Sequence, residues 1–231
     1  MKIVGKILLL ILIIGMASCS KPTSKNKEHK DPFPVKYENN LFSIDMPKGW
    51  VCDSSGWQGL ESFQNTIDIY DPNGNVVWFH IVKTFMPYKW KNIDEAKEMA
   101  MAARAVSGDN VELIDDVDGV SVGGYPTSIL YFANYVDNDT IIQKQFVTYL
   151  HDSHIVIYFN ENFYIKNWKE AQELGDMIIG TIMLKTVKNP LENDSIFKQS
   201  IDNGLKNHPV EEKYLKKATE LVEQFSKDDR T

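Results

Sequence analysis

His151, Asp152, Ser153 and His154 bring two histidines and a carboxylate into four consecutive residues. Such donors suit zinc or manganese if a third strong ligand joins them, and His80 is the candidate. The pair flanks a tight turn between two strands, which does not force the rings to converge, so no bound metal is expected. Cys52 with those histidines and Asp152 has the residue types of a cysteine hydrolase. A catalytic thiol needs a lowered pKa, often from a helix amino terminus, and no helix pattern follows WVCDSSGW. Asp115-Asp116-Val117-Asp118-Gly119 hints at a calcium loop. With Gly119 as its sixth position, the first is Ile114 and the twelfth Tyr125, and neither is a carboxylate. Gly123-Gly124 lacks the strand–glycine–helix setting of a phosphate loop. These groups predict neither an enzyme nor a cofactor.

Aromatic residues carry a different chemistry. Trp57, Tyr88 and Trp90 lie in SSGWQG and FMPYKW, beside breaks in the chain where large rings are harder to bury. Aromatic residues are enriched at binding hot spots, so these three are the expected partner-binding residues. Trp78, inside a strand pattern, reads as core.

The amino terminus carries an address. Lys2 and Lys6 precede the apolar run ILLLILIIGMAS at 7–18, which is shorter than the ~20 residues of a membrane span. Met16-Ala17-Ser18-Cys19 resembles the bacterial lipobox, with Met in the usual Leu position. The resemblance implies removal of residues 1–18, a diacylglycerol thioether on Cys19 and an acylated (palmitate-type) new amino terminus. Several acyl chains anchor durably where one does not. Ser20 is not Asp, which implies the outer membrane in a two-membrane cell. SKPTSKNKEHKDPFP, together with Cys19, makes a polar, aperiodic tether over 19–34.

Cleavage takes the 25 basic residues to 23 against 32 acidic ones, a formal charge of −9. That surface argues against nucleic acid as a partner. With Cys19 used for lipid, Cys52 has no disulfide partner in the chain, so the fold rests on packing. Hydrophobic residues make up 43% of the chain, enough to build a real core.

The elements that position these residues follow from local signals. FSIDM reads as a short strand closed by Pro47-Lys48-Gly49. FQNTIDIY (63–70) and NVVWFHIVKTF (75–85) flank the turn Asp71-Pro72-Asn73-Gly74, a hairpin signal. Asn92 and Glu95 form a capping-box pattern before the stripe Ile93, Ala96, Met99, Ala100, Ala103 and Val106. VELIDDV (111–117) and a short VSV precede Gly123-Gly124. A meander follows over 127–136, 141–150 and 154–159. Asn167 opens a helix whose expected buried stripe is Trp168, Ala171, Leu174, Ile178 and Ile182. This order predicts an α+β fold, a mostly antiparallel sheet covered by helices.

FSIDMPKGW, the central hairpin and helix, the glycine-bearing VGGYP, the three-strand meander and the closing helix together resemble PsbP-like domains. The likeness spans about residues 35–186 and implies an α/β/α sandwich that binds proteins without a common active site. Its members include DcrB-like lipoproteins, a photosynthetic extrinsic subunit, a Ran-binding factor and chaperones of secreted toxins. Residues 187–231 lie beyond it. There Val210, Tyr214, Leu215, Ala218, Leu221, Val222 and Phe225 form one face of a helix over about 209–226. Both docking on the domain and binding a partner are open to it. The functional expectation is a membrane-anchored envelope protein that binds another protein as an assembly factor. A small-ligand or metal binder, or an immunity-type inhibitor of a toxin, are its alternatives.

Overall fold

In the computed structural model, residues 31–188 are described, except 75, 87, 89, 106–110, 137 and 138; 194–196 and 199 are described beyond them. Cys19, the signal segment, most of the tether and the helix expected at 209–226 lie outside the described residues.

Among the described residues ten strands and two α-helices run strands, helix, strands, helix, as expected, with one short strand after them. Strands β1 (Val35–Glu38), β2 (Phe42–Met46), β3 (Val51–Asp53), β4 (Asn65–Tyr70) and β5 (Trp78–Phe85) precede helix α1 (Ile93–Ala105). Strands β6 (Val111–Val122), β7 (Tyr125–Val136), β8 (Asp139–Leu150) and β9 (Ile155–Tyr164) lead to α2 (Trp168–Ile179), and β10 (Met183–Leu184) closes the chain's return. Seven strands form one antiparallel sheet in the order β3-β4-β5-β9-β8-β7-β6. Strands β1, β2 and β10 form a separate antiparallel sheet with β2 in the middle.

Strand alternation divides the core. Ile81, Phe146, Ile157 and Phe159 point to one face of the large sheet, where α2 supplies Ala171 and Ile178 and β2 supplies Phe42 and Ile44. Leu130, Phe132, Val147 and Val156 point to the other, where α1 supplies Ala96 and Ala100. Both faces of the central strands are therefore apolar, which explains their consecutive apolar residues.

The local signals formed as read. Asn92 Oδ1 accepts from Glu95 N at 2.9 Å, and Glu95 Oε2 accepts from Asn92 N at 3.3 Å, completing the capping box. Asp71 Oδ1 accepts from Asn73 N at 2.9 Å in the β4–β5 turn. Gly123 and Gly124, with φ of +56° and +86°, make the β6–β7 turn. A Cβ at Gly123 would stand 2.9 Å from the backbone nitrogen of Leu184, so β10 lies against that turn.

Several expectations are corrected. The two pieces expected at 111–117 and 120–122 are one strand, β6, bulged between Leu113 and Asp115 and between Val117 and Val120. Strand β9 runs on to Tyr164 before a 3₁₀ turn at Ile165–Asn167. Asn167 makes no side-chain cap hydrogen bond. Trp168 is 49% exposed, because the first turn of α2 overhangs the core and Ala171 is its first buried residue. Ala103 is exposed at the edge of α1. Phe33 and Val187 pack against the first core cluster, so packing extends slightly past 35–186 at both ends.

A buried cation organises the β3–β4 loop. Lys83 is fully buried on β5, and its ammonium donates to the carbonyls of Leu60, at 2.7 Å, and Ser62. It also lies 3.9 Å above the Phe85 ring. Desolvation pulls its pKa down to about 8. Asn65 continues the same tie, accepting from Gln58 N at 2.8 Å and donating to the Gly59 carbonyl at 2.5 Å.

Candidate functional site

Helix α1 packs on β7 and β8 and stops short of β4 and β5. That face of the sheet is therefore half covered, and cross-strand register decides what the uncovered half presents. One row runs Tyr70, Trp78, Asn162, Gln143; the next runs Asp68, His80, Asn160, Gln145. A third runs Thr66, Val82, Tyr158, Val147. Between these rows and α1 lies a cleft of about 430 Å³, lined by His80, Val82, Thr84, Tyr158, Asn160 and Gln145 from the sheet and Met99, Ala103 and Arg104 from the helix. A volume of this size suits a small molecule.

The polar floor is hydrogen-bonded in a chain. His80 Nδ1 and Asp68 Oδ1 are 2.7 Å apart. Asn160 Nδ2 donates to the His80 carbonyl at 2.7 Å, and Gln145 Nε2 donates to Asn160 Oδ1 at 2.7 Å. Asn162 Nδ2 donates to the carbonyls of Asn160, at 3.1 Å, and Trp78, at 3.4 Å. Arg104 donates to Gln143 Oε1 and stacks over Phe132 at 5.6 Å. Burial lowers the Arg104 pKa and raises that of the Tyr158 phenol. Beside the cleft, Trp78 and Tyr164 pack with centroids 5.5 Å apart and, with Tyr70, line a shallow aromatic shelf.

Of the residues singled out from sequence, His80 alone enters this site. His151 pairs with Asp152 at 3.0 Å in the β8–β9 turn, and His154, at φ +54°, meets the Tyr88 ring at 4.8 Å. His80 sits five residues from Phe85, whose register partner is Ile155, so roughly 16 Å of strand separates it from that turn. The three histidines do not converge. Among the described residues no group of three His, Cys, Asp or Glu side chains could hold a metal ion. Cys52 lies on the edge strand β3, and burial, with Asp53 and Asp68, pushes its thiol up to about 11, the reverse of what a nucleophile needs. Asp116 and Asp118 close on the ammonium of Lys97 from α1, so an internal cation occupies the suspected calcium loop.

Trp57 sits edge-on to Phe42 at 6.2 Å and packs with the first core cluster, whereas Trp90 packs with the second. They lie on opposite faces of the large sheet and do not form one patch. Tyr88, two residues before Trp90, packs with the first cluster, so the β5–α1 connection meets both clusters. Sequence reading took Trp78 as core and passed over Asn160 and Gln145, which carry the site. Polar residues at every second position of β8 and β9 were the available signal.

The other face holds a second unusual group. Glu161 is fully buried, and neither carboxylate oxygen has a hydrogen-bond partner among the described residues. It fits beneath Gly175 of α2. Its cross-strand neighbour Lys144 pairs instead with Asp176.

Comparison with known proteins bears on the fold. The solution structure of cyanobacterial PsbP from Synechocystis sp. PCC 6803 superposes with a TM-score of 0.50 at 13% identity, covering 71% of this chain and 100% of that one. The chain has the PsbP-like fold. Looser likenesses link this PsbP-like chain to LpqN of Mycobacterium tuberculosis, described as involved in cell envelope biogenesis, and to the Ran-binding protein Mog1p of Saccharomyces cerevisiae. LpqN gives a TM-score of 0.45 at 11% identity, covering 68% of this chain and 88% of its own. Mog1p gives 0.44 at 8%, covering 65% and 94%. No sequence-family model matches the chain, and neither does any curated protein.

Proposed function

We propose that this PsbP-like chain is a lipid-anchored protein of the cell envelope that acts by binding another protein, as an assembly or stability factor, and carries out no catalysis. The observation that carries the reading is the uncovered half of the α1 face, where Tyr70, Trp78 and Tyr164 form an aromatic shelf on a rigid sheet. Aromatic side chains on a preorganised surface are the usual anchors of protein recognition. Anchoring rests on the Met16-Ala17-Ser18-Cys19 motif, and the outer membrane is the destination that Ser20 favours.

Two measurements test this. Cys19→Ala should leave an uncleaved precursor that takes up no labelled fatty acid; normal labelling would end the lipoprotein reading. A photocrosslinker at Tyr70, in native membranes, should capture one discrete partner, and Trp78→Ala should cut that capture at least tenfold. Trp57→Ala and Trp90→Ala serve as the comparison, since each lies away from the shelf. Equal capture in all variants would remove the shelf from the reading.

A second reading, a small-ligand binder, is favoured by the cleft beside the shelf, whose buried amides are arranged in one continuous chain.

A further inference from the structure

Strand register shapes the aromatic shelf. Tyr70 and Trp78 are directly opposed across β4 and β5, so their rings stand side by side on one face. Asp68 lies two residues before Tyr70 and shares that face. It is the diagonal neighbour of Trp78, with about 7–8 Å between the two positions. Tyr164 closes the far side, and an interplanar angle of 53° keeps its ring and that of Trp78 from covering each other's faces. Together these four residues line a depression of about 280 Å³, room for one large side chain. They are open to solvent: Tyr70 is 36% exposed, the Asp68 side chain 51%, and Trp78 is half-buried. Asp68 Oδ1 meets His80 Nδ1 at 2.7 Å, which leaves Oδ2 to a ligand.

The field over the shelf has one sign. Aromatic rings are negative on their faces, and Asp68 adds a carboxylate. No Lys or Arg is among the described residues lining the depression, and the chain as a whole has a formal charge of −7. The protein already places one ammonium on these rings. Lys166 Nζ lies 4.7 Å above Tyr164, and Asp139, 2.7 Å from it, answers its charge. An indole attracts a cation more strongly than a phenol does, yet Trp78 carries no cation among the described residues.

We infer that the shelf seats an arginine side chain from an extended basic segment of the protein partner, its guanidinium stacked on the Trp78 indole and its N–H groups on Asp68. A guanidinium suits this site better than an ammonium. It is planar, so it can lie flat on a ring, it is weakly hydrated, and it still offers several donors to a carboxylate at its edge. The inference rests on the protein-binding reading of the shelf and adds the chemistry of what is bound.

The test is titration calorimetry on the full-length protein purified in detergent, with the peptide acetyl-Gly-Arg-Gly-Arg-Gly-amide as the probe. The citrulline version of the peptide keeps the shape and loses the charge. The lysine version keeps the charge and loses the planar fork. The arginine peptide should bind at millimolar concentration or below, the citrulline peptide at least about tenfold more weakly, and the lysine peptide between them. Asp68→Asn should cut arginine binding about fivefold and leave citrulline binding unchanged. Glu173→Gln removes an exposed carboxylate on α2, across the sheet, and should leave both unchanged. Excess arginine peptide should also suppress the Tyr70 photocrosslink in native membranes, which the citrulline peptide should not do. No heat from the arginine peptide at millimolar concentration, or equal affinity for the arginine and citrulline peptides, would overturn the inference. Equal losses from Asp68→Asn and Glu173→Gln would reduce it to general attraction by an acidic surface and overturn it too. If Tyr70 still captures one discrete partner in either case, the protein-binding reading stands and the seated arginine alone is lost.

Discussion

Replacing Glu161 with Met should make the protein's stability at pH 8 higher by several kcal/mol and flatten its dependence on pH. The carboxyl of Glu161 is fully buried beneath α2, and both of its oxygens lack partners among the described residues. Desolvation pushes its pKa up to about 8 from 4.5; Lys144 opposes this rise and Asp176 adds to it. A raised folded-state pKa means the native chain holds this proton more tightly than the unfolded chain does. The stability it confers is complete below about pH 4.5 and declines as pH climbs toward 8. The decline is about 1.4 kcal/mol per pH unit, on the order of 4 kcal/mol across the window, with burial setting its upper bound. Met has a similar shape and no proton to lose. Lys144 keeps its partner Asp176 in the variant, so no new buried charge is orphaned. Thermal melts at pH 4.5, 6 and 8 check the expectation. The two proteins should nearly coincide at pH 4.5 and separate by roughly ten degrees at pH 8. Parallel pH profiles would show that Glu161 is not the group responsible.

Replacing Gly175 with Ala should destabilise the protein although Ala is the better helix former. Propensity alone favours Ala by about 1 kcal/mol. A Cβ at this position, however, would overlap Oε1 and Cδ of Glu161 and stand 3.0 Å from its Cγ. The carboxyl cannot swing into solvent from a fully buried site, so α2 must lift from β9. Forcing a methyl into a packed core costs about 1–3 kcal/mol, and here the displaced group is also an unpaired carboxyl. The net loss should reach about 2 kcal/mol. The discriminating variant is the double one, Gly175→Ala with Glu161→Ala. Its methyl enters space the shortened side chain has vacated, so it should recover most of the loss. Denaturant unfolding of the four proteins gives the coupling, expected at about 2 kcal/mol. Strictly additive effects would mean the helix and Glu161 do not meet as the structure has them.

Both expectations depend on a contact that no sequence window contains. Glu161 and Gly175 are fourteen residues apart, on a strand and a helix that run past one another. Read along the chain, Glu161 is a charge in the polar run Asn160-Glu161-Asn162, with nothing to mark it as buried. The cleft presents the same difficulty. Gln145 and Asn160 read as the solvent side of two strands. They become a buried floor because β9 lies between β5 and β8, which sets His80, Asn160 and Gln145 in one row.

What the sequence determined by itself is chemistry that acts within a few residues. The capping box at Asn92 and Glu95, the turn at Asp71 and Asn73, and the paired glycines at 123 and 124 each close on groups two to four positions away, so their outcome hardly depends on the rest of the chain. The antiparallel order of β7, β8 and β9 belongs here too, since tight turns leave adjacent strands little choice. Tertiary structure alone decided the rest: that β5 closes on β9, that β10 returns to β2, that α1 covers half a face, and that Trp57 and Trp90 fall on opposite sides. These outcomes are set by which apolar surfaces can be buried together, a sum over distant residues. A strand's own alternation says that it has a buried face but not what will cover it.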